Sequence, residues 1–247
     1  MSLLLNETEA NFKAFDGDWR NDMAQVATEL AKDSAVYLAS YRRLASLQAW
    51  RAFLETRMPE GSLAFFLEAQ NDALTSHVFA NLGSWRSALK ALRSCIDNVL
   101  FCVYYKDHPV ELELWHSGNH KPTFSELFTY LDNHPARIAA ATLDACPTLR
   151  NEYATLSKAV HASAKSFRMT NNIKETLLWS AAPEQKGKWR CREQVVIASI
   201  NLLLLALFRN ELSGASAAGL RDAIGLALPP SMLPEVKTHM NVVVRKP

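Results

Sequence analysis

Between Trp19 and Arg57 apolar residues return every three or four positions, at Met23, Val26, Leu30, Tyr37, Tyr41, Leu44, Leu47, Trp50 and Leu54, the spacing that lines one face of an α-helix. The stretch reads as two helices or one bent helix, with Asp18 placed as its cap. Pro59 and Gly61 break the rhythm, and Ser62 opens a helix that runs to Ala80. Gly83 and Ser84 punctuate again before a long helix from Trp85 to Lys106. His108 and Pro109 start a short helix that Gly118 closes as a C′ glycine. Thr123 and Glu126 have the spacing of a capping box over Phe124 to Leu131.

Asn133 to Pro135 reads as a turn. Pro147 stands near the first turn of a helix from Thr148 to about Lys165, and Trp189 to Leu212 supplies another long one, followed by a shorter helix from Ala217 to Leu228. Thr170 to Lys188, polar and holding Pro183 and Gly187, is the expected surface loop. The tail is β-prone at Val242 to Val244 but has no partner strand in view. The pattern predicts an all-α protein, a helical bundle with core segment 62–212, an N-terminal helical extension over 1–61 and a C-terminal extension over 213–247, all three compatible with one domain.

Composition narrows the function classes. Apolar residues make up 49% and charged residues 21% of 247, an ordinary globular balance that excludes general disorder. A net charge of +2 is too small to hold polyanions everywhere, so nucleic-acid binding requires a local patch. Cys95, Cys102, Cys146 and Cys191 form no CxxC pair and read as reduced. The start MSLLLNETEANF lacks a basic region and a long apolar core, so no signal peptide is expected. The longest apolar run, Val195 to Phe208, is shorter than the ~20 residues of a bilayer span and reads as a buried helix. The expectation is therefore a cytoplasmic chain with no membrane partner.

Two helices carry polar stripes. At 100° per residue Arg86, Lys90, Arg93 and Asp97 line up beside the apolar face Trp85, Leu89, Leu92, Ile96, Leu100 and Val103. Such a line is either a solvated edge with an Arg93–Asp97 pair or one wall of a site. On the helix from Thr148, Arg150, Ser157, His161 and Lys165 share a face, joined by Arg168 if the helix persists that far. A histidine between a serine and a lysine, each one turn away, can hold an anion and exchange its proton near neutral pH. It can equally be a face histidine bonded to Ser157.

The string TyrAlaThrLeuSerLysAlaValHisAlaSer at 153–163, with LeuArgSerCysIleAspAsn at 92–98, resembles the helical HEPN-like proteins of bacterial defence and toxin–antitoxin systems, over residues 62–212. In HEPN ribonucleases an Arg and a His four to six residues apart on one helix meet their dimer mates in a composite RNA-cleaving site that needs no metal. The resemblance implies a homodimer, RNA as substrate, His161 as proton-transfer group and an arginine beside it. This chain departs from the motif: no arginine stands at Ala154, Thr155 or Leu156, and the nearest, Arg150, is eleven residues before His161. Arg93 can replace the missing group only where its helix lies against that of His161. The alternative is a non-catalytic HEPN-like scaffold or regulatory subunit that binds a protein partner from a defence operon.

Other constellations add less. His108, His116 and His120 with Glu111 and Glu113 suggest metal ligands, but Gly118 interrupts the helical spacing, and no metal or other cofactor is expected. Cys95 and Cys102 fit buried packing. Lys186, Lys188, Arg190 and Arg192 surround Trp189 at an expected loop-to-helix junction, where cations and an exposed aromatic can hold single-stranded nucleic acid. In the other reading Trp189 anchors the helix start in the core. The candidate site residues are thus His161, Arg93, Arg150 and Ser157 for chemistry, and Arg86, Lys90, Lys165, Arg168, Lys186, Lys188, Trp189 and Arg190 for RNA or anion binding.

Overall fold

The computed structural model describes residues 3–161, 163, 167, 170–171, 175–176, 178–212 and 217–246, and the described chain is all-α. The helices are α1 Leu3–Ala31, α2 Ser34–Leu54, α3 Glu60–Asn81, α4 Trp85–Asp107, α5 Pro109–His116, α6 Phe124–Asn133, α7 Pro135–Ile138, α8 Cys146–Val160, α9 Pro183–Phe208, α10 Ala218–Ala227 and α11 Met232–Met240. A two-residue antiparallel pair, Thr170–Asn171 against Glu175–Thr176, stands between α8 and α9.

Local sequence accounts for most boundaries. The capping box forms as spaced, with the Thr123 hydroxyl accepting from the Glu126 amide at 3.3 Å and the Glu126 carboxylate accepting from the Thr123 amide at 2.6 Å. Gly83 and Gly118 end their helices at φ of +71° and +73°, where a Cβ is strained.

Three boundaries differ from expectation. Helix α1 already begins at Leu3, so Asp18 lies inside it and caps nothing. Pairs one turn apart, Lys13–Glu9 at 2.6 Å and Arg20–Asp16 at 3.1 Å, support the helix there. Helix α8 stops at Val160, with His161 as its C-cap. Helix α9 starts at Pro183, whose fixed φ suits a first turn, so residues 183–188 are helix and not loop.

Helix α4 is central. Its buried Leu89, Leu92, Ile96, Leu100 and Val103 pack chiefly on α3, with α8 and α9 also against it. Helix α9 is buried almost all round from Val196 to Ala206. Residues 183–211 are long and apolar enough to cross a membrane, but 72% of the most apolar window is buried inside the fold, as in the core helix of a packed bundle. One hydrophobic core runs from Leu30 to Val244, so α2, α10, α11 and the tail share it with the 62–212 segment.

The tail finds a place without a ladder. Asn241 turns left-handed at φ 55°, after which Val242 and Val244 are buried and Val243 and Arg245 exposed. Its backbone passes so near α10 that a Cβ on Gly225 would stand 1.8 Å from the Arg245 carbonyl oxygen.

Candidate functional site

Helices α4 and α8 pack side by side, and their polar stripes meet along the seam. Arg93 on α4 donates from Nε to the Ser157 hydroxyl on α8 at 3.3 Å and from Nη2 to the Tyr153 hydroxyl. Its third edge faces Asp97 at 3.0 Å, and its carbon centre lies 4.5 Å from the middle of the Tyr153 ring. Two turns earlier on α4, Arg86 donates to the carbonyls of Ala159 at 2.9 Å and Val160 at 3.2 Å. Those carbonyls lack helical partners at the C-terminus of α8 and carry its negative dipole end, so a guanidinium there is favourable. His161 follows immediately and is exposed. Lys90, between the two arginines, is exposed and makes no ion pair among the described residues.

The seam therefore brings Arg86, Lys90, Arg93, Ser157 and His161 to one edge of the bundle. Arg150 is not with them. It sits on the second turn of α8, about 16 Å along the axis from His161 at 1.5 Å per residue, and pairs with Asp132 at 2.7 Å. Lys165 and Arg168 lie outside the described residues.

Burial gives the seam an unusual acid. Asp97 is 20% exposed, and desolvation pushes its carboxyl up to about 6 against the pull of Arg93 and Lys121. Burial, followed by the charge of Asp97, also raises the Tyr153 phenol. The cluster can thus exchange protons near neutral pH at Asp97, and it presents Lys90 as its exposed cation beside Arg86, while the half-buried Arg93 is spent on Ser157, Tyr153 and Asp97.

The second cationic group is arranged otherwise than the sequence suggests. Trp189 is fully buried and donates its indole N–H to Ser76 at 3.1 Å, so it has no face to offer a base. It is the anchor of α9. Lys186 is held by Asp33 at 2.6 Å, Lys188 by Glu184 at 2.5 Å and Arg192 by Glu152 at 2.8 Å. Of the three residues predicted to hold nucleic acid beside Trp189, only Arg190 is exposed and without an ion pair among the described residues. The neutralising Asp33 and Glu152 come from distant segments, which spacing around Trp189 does not reveal.

One polar network escaped the sequence reading. Arg43 on α2 donates from Nε at 2.8 Å and from Nη2 at 2.5 Å to one oxygen of the Glu193 carboxylate on α9. The other oxygen accepts from the Ser40 hydroxyl at 3.1 Å. Ser40 has then spent its proton, so His77 Nδ1–H donates to Ser40 at 3.0 Å. Burial and the nearby Arg43 charge lower the His77 value. Two turns along, Asn201 accepts from the Trp50 indole at 2.9 Å and donates to Ser46 at 2.9 Å. The only trace of this in the sequence is polar residues within the apolar pattern of α9: Asn201, and Glu193 two turns before it. Because the Ser40 proton points to a carboxylate and not to His77, the group lacks the order of a nucleophilic triad.

The histidines considered as metal ligands go separate ways: His108 lies flat on Tyr104 with ring centres 4.0 Å apart, His116 is exposed beside Glu113 at 3.8 Å, and His120 is half-buried, while His134 approaches Asp107 at 3.4 Å. No group of three or more metal-ligating side chains forms among the described residues. Cys95, Cys102 and Cys146 are buried, and burial raises each thiol. Fold and seam together define an all-α bundle with a cationic, histidine-bearing edge between two packed helices. In comparisons with protein-family models, curated proteins and solved structures, the chain has no match.

Proposed function

We propose that this protein acts on RNA at the α4–α8 seam, as a HEPN-like component of a bacterial defence or toxin–antitoxin system working in the cytoplasm as a homodimer. The observation that supports the reading is Arg86 on the last carbonyls of α8, beside the exposed His161. His161 takes the proton of a ribose 2′-hydroxyl as that oxygen attacks the adjacent phosphorus. The 5′-oxygen leaves with a proton from water, and a cyclic phosphate remains. Arg86 stabilises the charge that builds on the phosphorus oxygens, Lys90 holds a neighbouring phosphate, and Arg93 fixes α4 against α8 through Ser157 and Tyr153. The test is incubation of the purified chain with labelled RNA in chelator: cleavage is expected, with His161→Ala inactive and folded.

A second reading, a non-catalytic scaffold that binds a protein partner, is favoured by helix α1. Leu4, Phe12 and Phe15 on its N-terminal half are 69%, 62% and 56% exposed, and Phe12 and Phe15 continue the stripe of Trp19, Val26 and Leu30 that meets the body. Under this reading RNA stays intact, and a Phe12→Ser, Phe15→Ser variant loses partner association in sedimentation while His161→Ala does not.

A further inference from the structure

A cavity of about 890 Å³ opens where the end of α9, helix α10, the end of α11 and the C-terminal tail come together. It lies within the range of small-molecule sites, roughly 300–1,000 Å³. Three arginines line it, Arg209, Arg221 and Arg245, with one carboxylate, Asp222. Two of the arginines are positioned by backbone: Arg221 donates to the Leu212 carbonyl at 2.6 Å and Arg209 to the Ala136 carbonyl at 3.3 Å. The Ala136 carbonyl fixes the Arg209 guanidinium without cancelling its charge, and a guanidinium has five N–H donors. Among the described residues no carboxylate lies within ion-pair distance of Arg209 or Arg245. His239, also on the wall, is occupied by Glu235 at 3.2 Å.

The tail builds the fourth wall. Burial of Val242 and Val244 turns Val243 and Arg245 outward along an extended segment, the period-two alternation of such backbone. Gly225 permits the close approach that seats Arg245 at the cavity. No Phe, Tyr or Trp side chain is among the residues that line the space, and the one ring there, His239, is already engaged by Glu235. We propose that this cavity binds a small polyanion, a molecule with two or more phosphate or carboxylate groups, with Arg209 and Arg245 as its cationic clamp. Asp222 sets a limit on where the negative groups sit and offers an acceptor to a hydroxyl of the same ligand. The site is separate from the α4–α8 seam and stands or falls independently of it.

The experiment is calorimetric titration of the full chain at constant ionic strength with three probes: pyrophosphate, citrate and orthophosphate. Saturable one-to-one binding of pyrophosphate or citrate, tighter than orthophosphate by about tenfold or more, is expected from charge-assisted contacts to several guanidiniums. Preference between the first two identifies phosphate or carboxylate as the source. An Arg209→Gln, Arg245→Gln variant is expected to lose at least about tenfold in affinity, while Lys13→Gln on the exposed surface of α1, outside the cavity wall, changes nothing. Arg245→Gln alone, on the exposed tail, keeps the test valid where the double variant does not fold. Absence of saturable binding by all three probes overturns the proposal, as does equal binding by Arg245→Gln and the native chain.

Discussion

Arg43 on α2 and Glu193 on α9, 150 positions apart, meet inside the protein with side chains 10% and 1% exposed. Removing either partner leaves a buried charge without compensation, which costs about 3–5 kcal/mol. Glu193→Ala is therefore expected to lower unfolding free energy by that amount in urea. The paired Arg43→Met, Glu193→Leu replacement is expected to recover most of it, since a packed apolar pair avoids desolvation. Losses below about 1 kcal/mol in the single variants contradict this account of how α2 is fixed to α9.

Asp97 makes stability depend on pH in a definite direction. Its folded value of about 6 lies above the ordinary 3.8, so between those limits the native state binds more protons than the unfolded one. The stabilisation is full below about pH 4 and is lost as pH rises through 6. At 1.36 kcal/mol per unit the loss is roughly 1–3 kcal/mol for a partly screened group. Relative to Asp97→Asn, the native chain is expected to lose stability between pH 4 and pH 6.5 in denaturant titrations. Parallel curves for the two proteins contradict it.

Gly83 and Gly118 share a positive φ but not their surroundings. A Cβ on Gly83 would stand 2.5 Å from Val26 Cγ1 and 2.7 Å from the Ser180 carbonyl oxygen, whereas Gly118 has nothing within 4 Å. Gly118→Ala is expected to cost about 1–2 kcal/mol for the left-handed backbone alone. Gly83→Ala is expected to cost more, because it also pries α1 and the 178–182 segment from the α3–α4 turn. Equal melting temperatures for the two variants contradict this.

The helices were legible because they repeat an apolar period over many turns: α4 lies within one residue of where the pattern puts it, and the apolar body of α9 is where it is expected, although that helix begins six residues earlier, at Pro183, and ends at Phe208. The capping box at Thr123 and the Gly118 terminus depend only on neighbours, and so does their prediction. What failed depends on distant groups. Trp189 with its surrounding cations looks like a surface cluster until Ser76, Asp33 and Glu152 arrive from other helices to bury or neutralise it. The end of α8 at Val160 is equally non-local, since Arg86 of α4 satisfies its carbonyls. The two stripes were each visible as helical periodicity, but the packing of α4 on α8 that joins them is a tertiary fact.

The central claim is that the α4–α8 edge, with Lys90 and His161 exposed on it, is an RNA site. The most direct measurement is binding and cleavage of a labelled single-stranded RNA by the purified chain in chelator, at two salt concentrations, beside Lys90→Glu and His161→Ala. The account predicts salt-sensitive binding weakened about tenfold or more by Lys90→Glu, with cleavage abolished by His161→Ala at unchanged affinity. Native protein that neither binds nor cuts RNA at low salt, or cleavage that persists in His161→Ala, contradicts it.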